Sequence, residues 1–185
     1  MNISNNKQKA NRNEELVAIR KVYEEHGVEN YYLKNGGIYR NPHEKIIQKL
    51  VSVALIKGYI GEKILDLCCG SGEVTLALGD RDITGVDPYT DKAYFKRTGK
   101  ELLPLSFEDI CSGQLSESYD TVVCSFALHL CPKSLLPFLL WQIGQISDKL
   151  IVITPNKKPD CDNISNWILV EEIIESRVRM RVYLR

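Results

Sequence analysis

The residues best suited to chemistry in this chain lie on two acids and one glycine loop. The stretch Ile64-Leu65-Asp66-Leu67-Cys68-Cys69-Gly70-Ser71-Gly72-Glu73 runs from an apolar segment through a glycine turn into a helical pattern. Glycines in that context let the backbone approach a ligand closely. The helix that follows offers free N–H groups and a positive dipole end. Such a loop suits a ligand that bears a carboxylate or other negative charge. Asp66, just before the loop, suits a ligand that also carries a cationic amine. Asp87 lies at the end of the next apolar segment, roughly twenty residues on, where an acid accepts hydrogen bonds from ribose hydroxyls.

Phosphate chemistry fits these residues poorly. A dinucleotide loop reads G-x-G-x-x-G, and the matching positions here are Cys68, Gly70 and Glu73. Glu73 in the first helical turn would also repel a pyrophosphate. The Gly-Lys-Ser/Thr of a P-loop is absent. An amine, a carboxylate and a ribose together describe S-adenosylmethionine better than NAD. A plain strand-to-helix turn would leave the combination of Asp66, Gly70, Gly72 and Asp87 unexplained.

Elsewhere each feature has two readings. His129, just beyond an apolar segment ending at Ser125, is a candidate general base or a locally bonded histidine. Tyr89 either stacks on an adenosine or lies at the surface. Tyr31, Tyr32, Tyr39, Arg40 and His43 form an aromatic-polar concentration that reads as a lid over residues 28–43 with substrate contacts, or as packing and helix capping. Arg177, Arg179 and Arg181 alternate with Val178, Met180 and Val182, which puts the arginines on one strand face. That face is either solvated or, with Lys157 and Lys158, a nucleic-acid surface. The six cysteines include no C-x-x-C pair and read as free thiols in a reducing compartment. Cys124, His129 and Cys131 lack the paired spacing of a zinc site, so no metal is expected.

These residues need a scaffold, and its elements are legible. Residues 1–13 are polar and read as a disordered tail, and a short amphipathic helix follows over 14–25. Asn41, Pro42 and Glu44 suit the N-cap, N1 and N3 of a second helix, with Glu44 closing a capping box. Its stripe is Ile46, Ile47, Leu50, Val51, Ala54 and Leu55. Strands are then expected over 64–68, 83–87, 101–106, 119–125, 150–154 and 177–184. Helices are expected over 73–78, 91–98, 133–145 and 163–175. Pro104 places the third strand at a sheet edge. Alternation of this kind specifies an α/β three-layer sandwich around a mostly parallel, doubly wound sheet. Ligands bind such sheets at the carboxyl ends of the strands, beside the first. Residues 14–185 read as one domain, with 14–43 as N-terminal helix and lid.

Asp66-Leu67-Cys68-Cys69-Gly70-Ser71-Gly72 resembles the first motif of the class I S-adenosylmethionine-dependent methyltransferases. Val86-Asp87 is similar to their second-strand acid, Phe107-Glu108-Asp109-Ile110 to their adenine loop, and Ser125-Phe126-Ala127-Leu128-His129-Leu130 to their segment after the fourth strand. The resemblance spans roughly residues 45–155. It implies that Asp66 and the backbone about Cys68, Gly70 and Gly72 hold the methionine part of S-adenosylmethionine. Asp87 and Pro88 would take the ribose, Asp109 and Ile110 the adenine, and Ser125 would line the same site. Two departures stand out. Cys68 replaces the first family glycine, which is tolerable at negative φ. The sheet, read as closing with one strand, lacks the usual seventh.

Composition narrows the activity. The 185 residues carry 24 Lys and Arg against 24 Asp and Glu, which argues against a broadly basic nucleic-acid binder. No apolar run reaches the length that crosses a bilayer, and the N-terminus has no secretory signal, so a soluble cytoplasmic protein is expected. No Asn/Asp-Pro-Pro-Tyr motif follows the fourth strand. The expectation is methyl transfer to a small-molecule acceptor. The alternatives are an RNA or protein methyltransferase needing a protein partner, and a non-catalytic methyltransferase-like binding subunit.

Overall fold

The computed structural model describes Asn30 and residues 34–185. The expected tail, the helix over 14–25, and Tyr31 and Tyr32 lie outside the described residues. In chain order the elements are α1 (Glu44–Ile56), β1 (Lys63–Leu67), α2 (Glu73–Leu78), β2 (Asp82–Val86), α3 (Asp91–Thr98), β3 (Leu102–Leu103), α4 (Phe107–Cys111), β4 (Thr121–Ser125), α5 (Leu136–Ile146), β5 (Lys149–Thr154), β6 (Ile168–Glu175) and β7 (Val178–Leu184). The strands form one seven-stranded sheet in the order β3-β2-β1-β4-β5-β7-β6. Only β7 runs against its neighbours.

Strand alternation divides the core between the two faces of the sheet. Ile64, Val123, Ile151, Ile153, Met180 and Val182 face α1 and α2, whose Ile47, Leu50, Val51, Ala54, Val74 and Leu78 are buried against them. Leu65, Leu67, Val122, Cys124, Leu150 and Val152 face the other way, onto Ile110 of α4 and Leu139, Leu140 and Ile143 of α5. This is the expected three-layer sandwich. Burying a Leu or Ile fully is worth about 1.5–3 kcal/mol, so these two layers supply most of the driving force. Leu102 and Leu103 form the short edge strand ahead of Pro104.

Two sequence expectations are corrected at the far edge. The helix expected over 163–175 is instead a turn followed by β6, and the sheet has its seventh strand. Asn163, Ser165 and Asn166 adopt positive φ (60°, 50° and 67°), a run no α-helix accommodates. From Ile168 onward exposure alternates residue by residue, the period of a strand. Ser176 and Arg177 also have positive φ (48° and 71°), as the two central residues of a tight hairpin turn require. A Ser-Arg pair lacks the Asn-Gly type of signal, which is why the hairpin was not legible. Trp167 anchors the segment from the α5 side, buried and donating its indole N–H to the Leu140 carbonyl at 2.9 Å.

The arginine stripe of β7 is built into this edge. The Arg181 guanidinium, with only 6% of the side chain exposed, donates to Glu172 Oε2 at 2.6 Å and to the carbonyls of Pro159 and Lys157. Arg179 pairs with the other oxygen of Glu172 at 2.7 Å. Two of the three arginines are therefore engaged within the sheet, sharing the one Glu172 carboxylate. Among the described residues no helix is long and apolar enough to cross a membrane, and no group of three or more His, Cys, Asp or Glu is placed to hold a metal ion.

Candidate functional site

The carboxyl ends of β1, β2 and β4 open into a cavity of about 480 Å3, within the range of small-ligand sites. Its first wall is the loop after β1. Cys68 turns at φ 55° and Gly70 also at φ 55°. Cys69 N–H bonds back to the Val86 carbonyl, and Gly72 N–H to the Cys69 carbonyl. The condition set for Cys68, a negative φ, is not met. The residue sits in left-handed backbone, where a Cβ costs roughly 1–2 kcal/mol. Phe126, directly after β4, does the same at φ 56°. Both strained residues line the cavity, as Gly70 does. Gly72 does not line it. At φ 84° it starts α2, and a Cβ there would stand 2.5 Å from the Thr98 methyl.

Asp87 closes the second wall. One oxygen accepts the Gly70 N–H at 3.2 Å, and the other accepts the N–H groups of Tyr89 (2.9 Å) and Thr90 (3.1 Å). The carboxylate thus ties the loop after β1 to the loop after β2 while lining the cavity with Pro88 and Tyr89. Burial pushes its pKa up, and those backbone donors hold it back.

Asp66 is placed differently from the expectation. It faces away from the cavity into the layer beneath α2, where its Oδ2 accepts the Thr75 N–H at 3.1 Å and the Thr75 hydroxyl at 2.7 Å. Complete desolvation, with repulsion from Glu73 and Asp87 and despite the Thr75 bonds, pushes its pKa up to about 7. The acid of the first loop that lines the cavity is Glu73.

The third wall is α4. Ser106 caps it reciprocally with Asp109, whose Oδ2 accepts from both the Ser106 N–H and hydroxyl. Asp109 Oδ1 accepts from Gln114. These bonds hold the Asp109 carboxyl below its ordinary range and occupy it locally. Asp109 is not among the lining residues, whereas Leu105, Ser106, Phe107, Glu108 and Ile110 are. A Ser-x-x-Asp capping signal was present in the sequence and would have shown that Asp109 serves the helix.

Ser125, Phe126, Ala127, Leu130 and Pro132 complete the far wall. His129 is exposed on a 3-10 turn over Leu128–Leu130 and does not line the cavity. His43 stacks on Phe126 of this wall, with ring centroids 4.8 Å apart and planes 15° from parallel.

Residues 39–44 cross the mouth of the first loop. Tyr39 and Asn41 line the cavity, and the Tyr39 ring lies 3.1 Å from where a Cβ on Gly70 would stand. Asn41 N–H donates to Glu73 Oε1 at 3.2 Å, and its side chain accepts the His43 N–H. Arg40 is exposed and pairs with Glu44 at 2.9 Å. Glu44 makes no capping box but turns to Arg40 and to Arg97 of α3. The Glu44–Arg97 pair joins residues far apart in the chain and carries no local sequence signal.

No family model matches the chain. An uncharacterized protein of Schizosaccharomyces pombe is 31% identical over 197 aligned positions, covering 76% of this chain and 79% of that protein. Among solved structures, the magnesium protoporphyrin IX methyltransferase of Synechocystis PCC 6803, with bound S-adenosylmethionine, superposes with a TM-score of 0.62. It is 17% identical and covers 91% of this chain and 96% of its own. The N-methyltransferase NodS of Bradyrhizobium japonicum WM9, in complex with S-adenosyl-L-homocysteine, gives 0.66 at 12% identity, with 83% and 96% covered. The chain belongs to one family with the fission-yeast protein and has the fold of the class I methyltransferases.

Proposed function

We propose that the protein transfers a methyl group from S-adenosylmethionine to a small-molecule acceptor. The observation that carries this is Asp87, a buried carboxylate lining the cavity while it fastens the glycine loop to the loop after β2. The residues present fit the cofactor. Gly70 leaves its backbone open to the cavity, and Asp87 suits ribose hydroxyls. Pro88, Ile110 and Phe107 offer apolar contact for a purine, with Ser106 and Glu108 as polar neighbours. Cys68 and Ser125 bound the floor.

When bound, the cofactor supplies an electrophilic methyl on a sulfonium with a good leaving group. What remains for the chain is to align the acceptor and exclude water. Tyr39 and Asn41 cover the loop, and Phe126, Leu130 and Pro132 form an apolar wall opposite. In this reading Asn30 and residues 34–43 are the described part of the lid, with Tyr39 as the substrate-side contact and Arg40 anchoring it through Glu44. The apolar wall and the internal pairing of Arg179 and Arg181 favour a small molecule over RNA. Six free thiols suit a reducing compartment such as the cytoplasm.

A thermal melt with S-adenosylmethionine, S-adenosylhomocysteine or NAD in turn tests the reading. At a hundredfold its dissociation constant a ligand adds ~2.7 kcal/mol, on the order of 5–10 °C for a chain of this size. The adenosyl ligands alone should shift the melt, and Asp87→Ala should abolish the shift. A shift with NAD alone, or none, would overturn it. Adenosyl binding with no turnover on any acceptor would favour a binding subunit.

A further inference from the structure

Glu73 sits in the first turn of α2 with 4% of its side chain exposed, yet it lines the cavity. One of its oxygens is fully engaged. Oε1 accepts the Arg97 guanidinium at 2.6 Å, the Ser71 hydroxyl at 2.5 Å and the Asn41 N–H at 3.2 Å. The other oxygen, Oε2, takes part in none of these bonds and lies 3.7 Å from where a Cβ on Gly70, itself a lining residue, would stand. Arg97 itself does not line the cavity. Its second nitrogen donates to Glu44 Oε1 at 2.6 Å, and its first also reaches the Ser71 carbonyl and hydroxyl.

We infer that Glu73 is the carboxylate that receives a cationic ammonium group of the bound ligand, and that Arg97 is the positioning residue that turns Glu73 Oε2 toward it. The inference rests on the adenosyl-cofactor reading, in which that cation is the α-ammonium of the methionine part. The role falls to Glu73 because Asp66 faces Thr75 under α2 and is not in the cavity. A buried carboxylate is stabilised by partners on both of its oxygens. Arg97, Ser71 and Asn41 serve one, and an arriving ammonium would serve the other. Asp87, which lines the same cavity, adds to the attraction for a cation. The opposite oxygen of the same carboxylate holds the Asn41 N–H, so Glu73 also couples ligand binding to the segment that crosses the loop.

The test is calorimetric binding of S-adenosylhomocysteine and of an analogue whose α-amine is replaced by hydrogen, to wild type, Glu73→Gln and Arg97→Lys. Glutamine keeps an acceptor for Asn41, Ser71 and Arg97 but removes the charge. A charge-assisted hydrogen bond sets the expected loss, so Glu73→Gln should weaken S-adenosylhomocysteine about ten- to hundredfold and leave the amine-free analogue within about twofold. Arg97→Lys, which cannot reproduce the two-pronged geometry, should show a smaller loss with the same selectivity. Equal weakening of both ligands, or none, with wild type binding both, would overturn the assignment while leaving the cofactor reading standing. Wild type binding neither would overturn both.

Discussion

Replacing Asp66 by Asn should flatten the dependence of folding stability on pH. Asp66 is 1% exposed, and burial raises its pKa from 3.8 in the open chain to about 7 in the folded protein. Between those values the folded state holds a proton that the unfolded state has released. Stability therefore falls as pH rises through the window, and the loss is complete only above the folded value. At about 1.36 kcal/mol per pH unit the window is worth ~4 kcal/mol, or on the order of 8–16 °C in Tm for a chain of this length. Asparagine has no proton to lose, and its carbonyl can accept both Thr75 bonds. Its amide group would lack a partner in the apolar layer, which costs ~1–2 kcal/mol at every pH. The variant should therefore melt close to wild type at pH 5, where the two effects roughly cancel, and above it at pH 8. Thermal unfolding by circular dichroism at constant ionic strength, subtracting one curve from the other, isolates this group from carboxylates with lowered pKa such as Glu172 and Asp120. A wild-type-to-variant difference that stays constant from pH 5 to pH 8 would refute the reasoning.

Three further outcomes follow from the same geometry. Cys68→Gly should be more stable than Cys68→Ala by about 1–2 kcal/mol, since φ 55° penalises any Cβ; urea melts giving the reverse order would refute the strain. Arg181→Met should cost ~3 kcal/mol, because Glu172 and the carbonyls of Lys157 and Pro159 lose their shared donor; a loss below about 1 kcal/mol would mean that the pairing contributes little. His129→Ala should leave turnover within about twofold, since an exposed residue outside the cavity is out of hydrogen-bond reach of a bound acceptor. A large fall in kcat without a fall in Tm would return His129 to the mechanism.

Much of the scaffold was legible because local patterns and tertiary packing agree. The stripe from Ile47 to Ala54 makes α1, the Asp91–Thr98 helix stops at Gly99, and Leu102–Leu103 precede Pro104 at the sheet edge. The glycine loop and Asp87 were legible for the same reason, since their spacing follows from a strand, a turn and a helix in succession. β6 was not, because its turn residues carry positive φ without the usual glycines, and its stability comes from pairing with β7. Which acid meets the cavity was also beyond local reading. In β1 the alternation turns Asp66 with Ile64 toward the α2 layer, and the capping of α4 takes Asp109, so that Glu73 and Glu108 line the cavity instead. The sequence by itself determined the order of strands and helices and the loop that a ligand would approach. Only the tertiary structure decided which side chains reach it, because Arg97, Glu73, Asn41 and Glu44 meet through contacts between elements, and no local periodicity encodes those contacts.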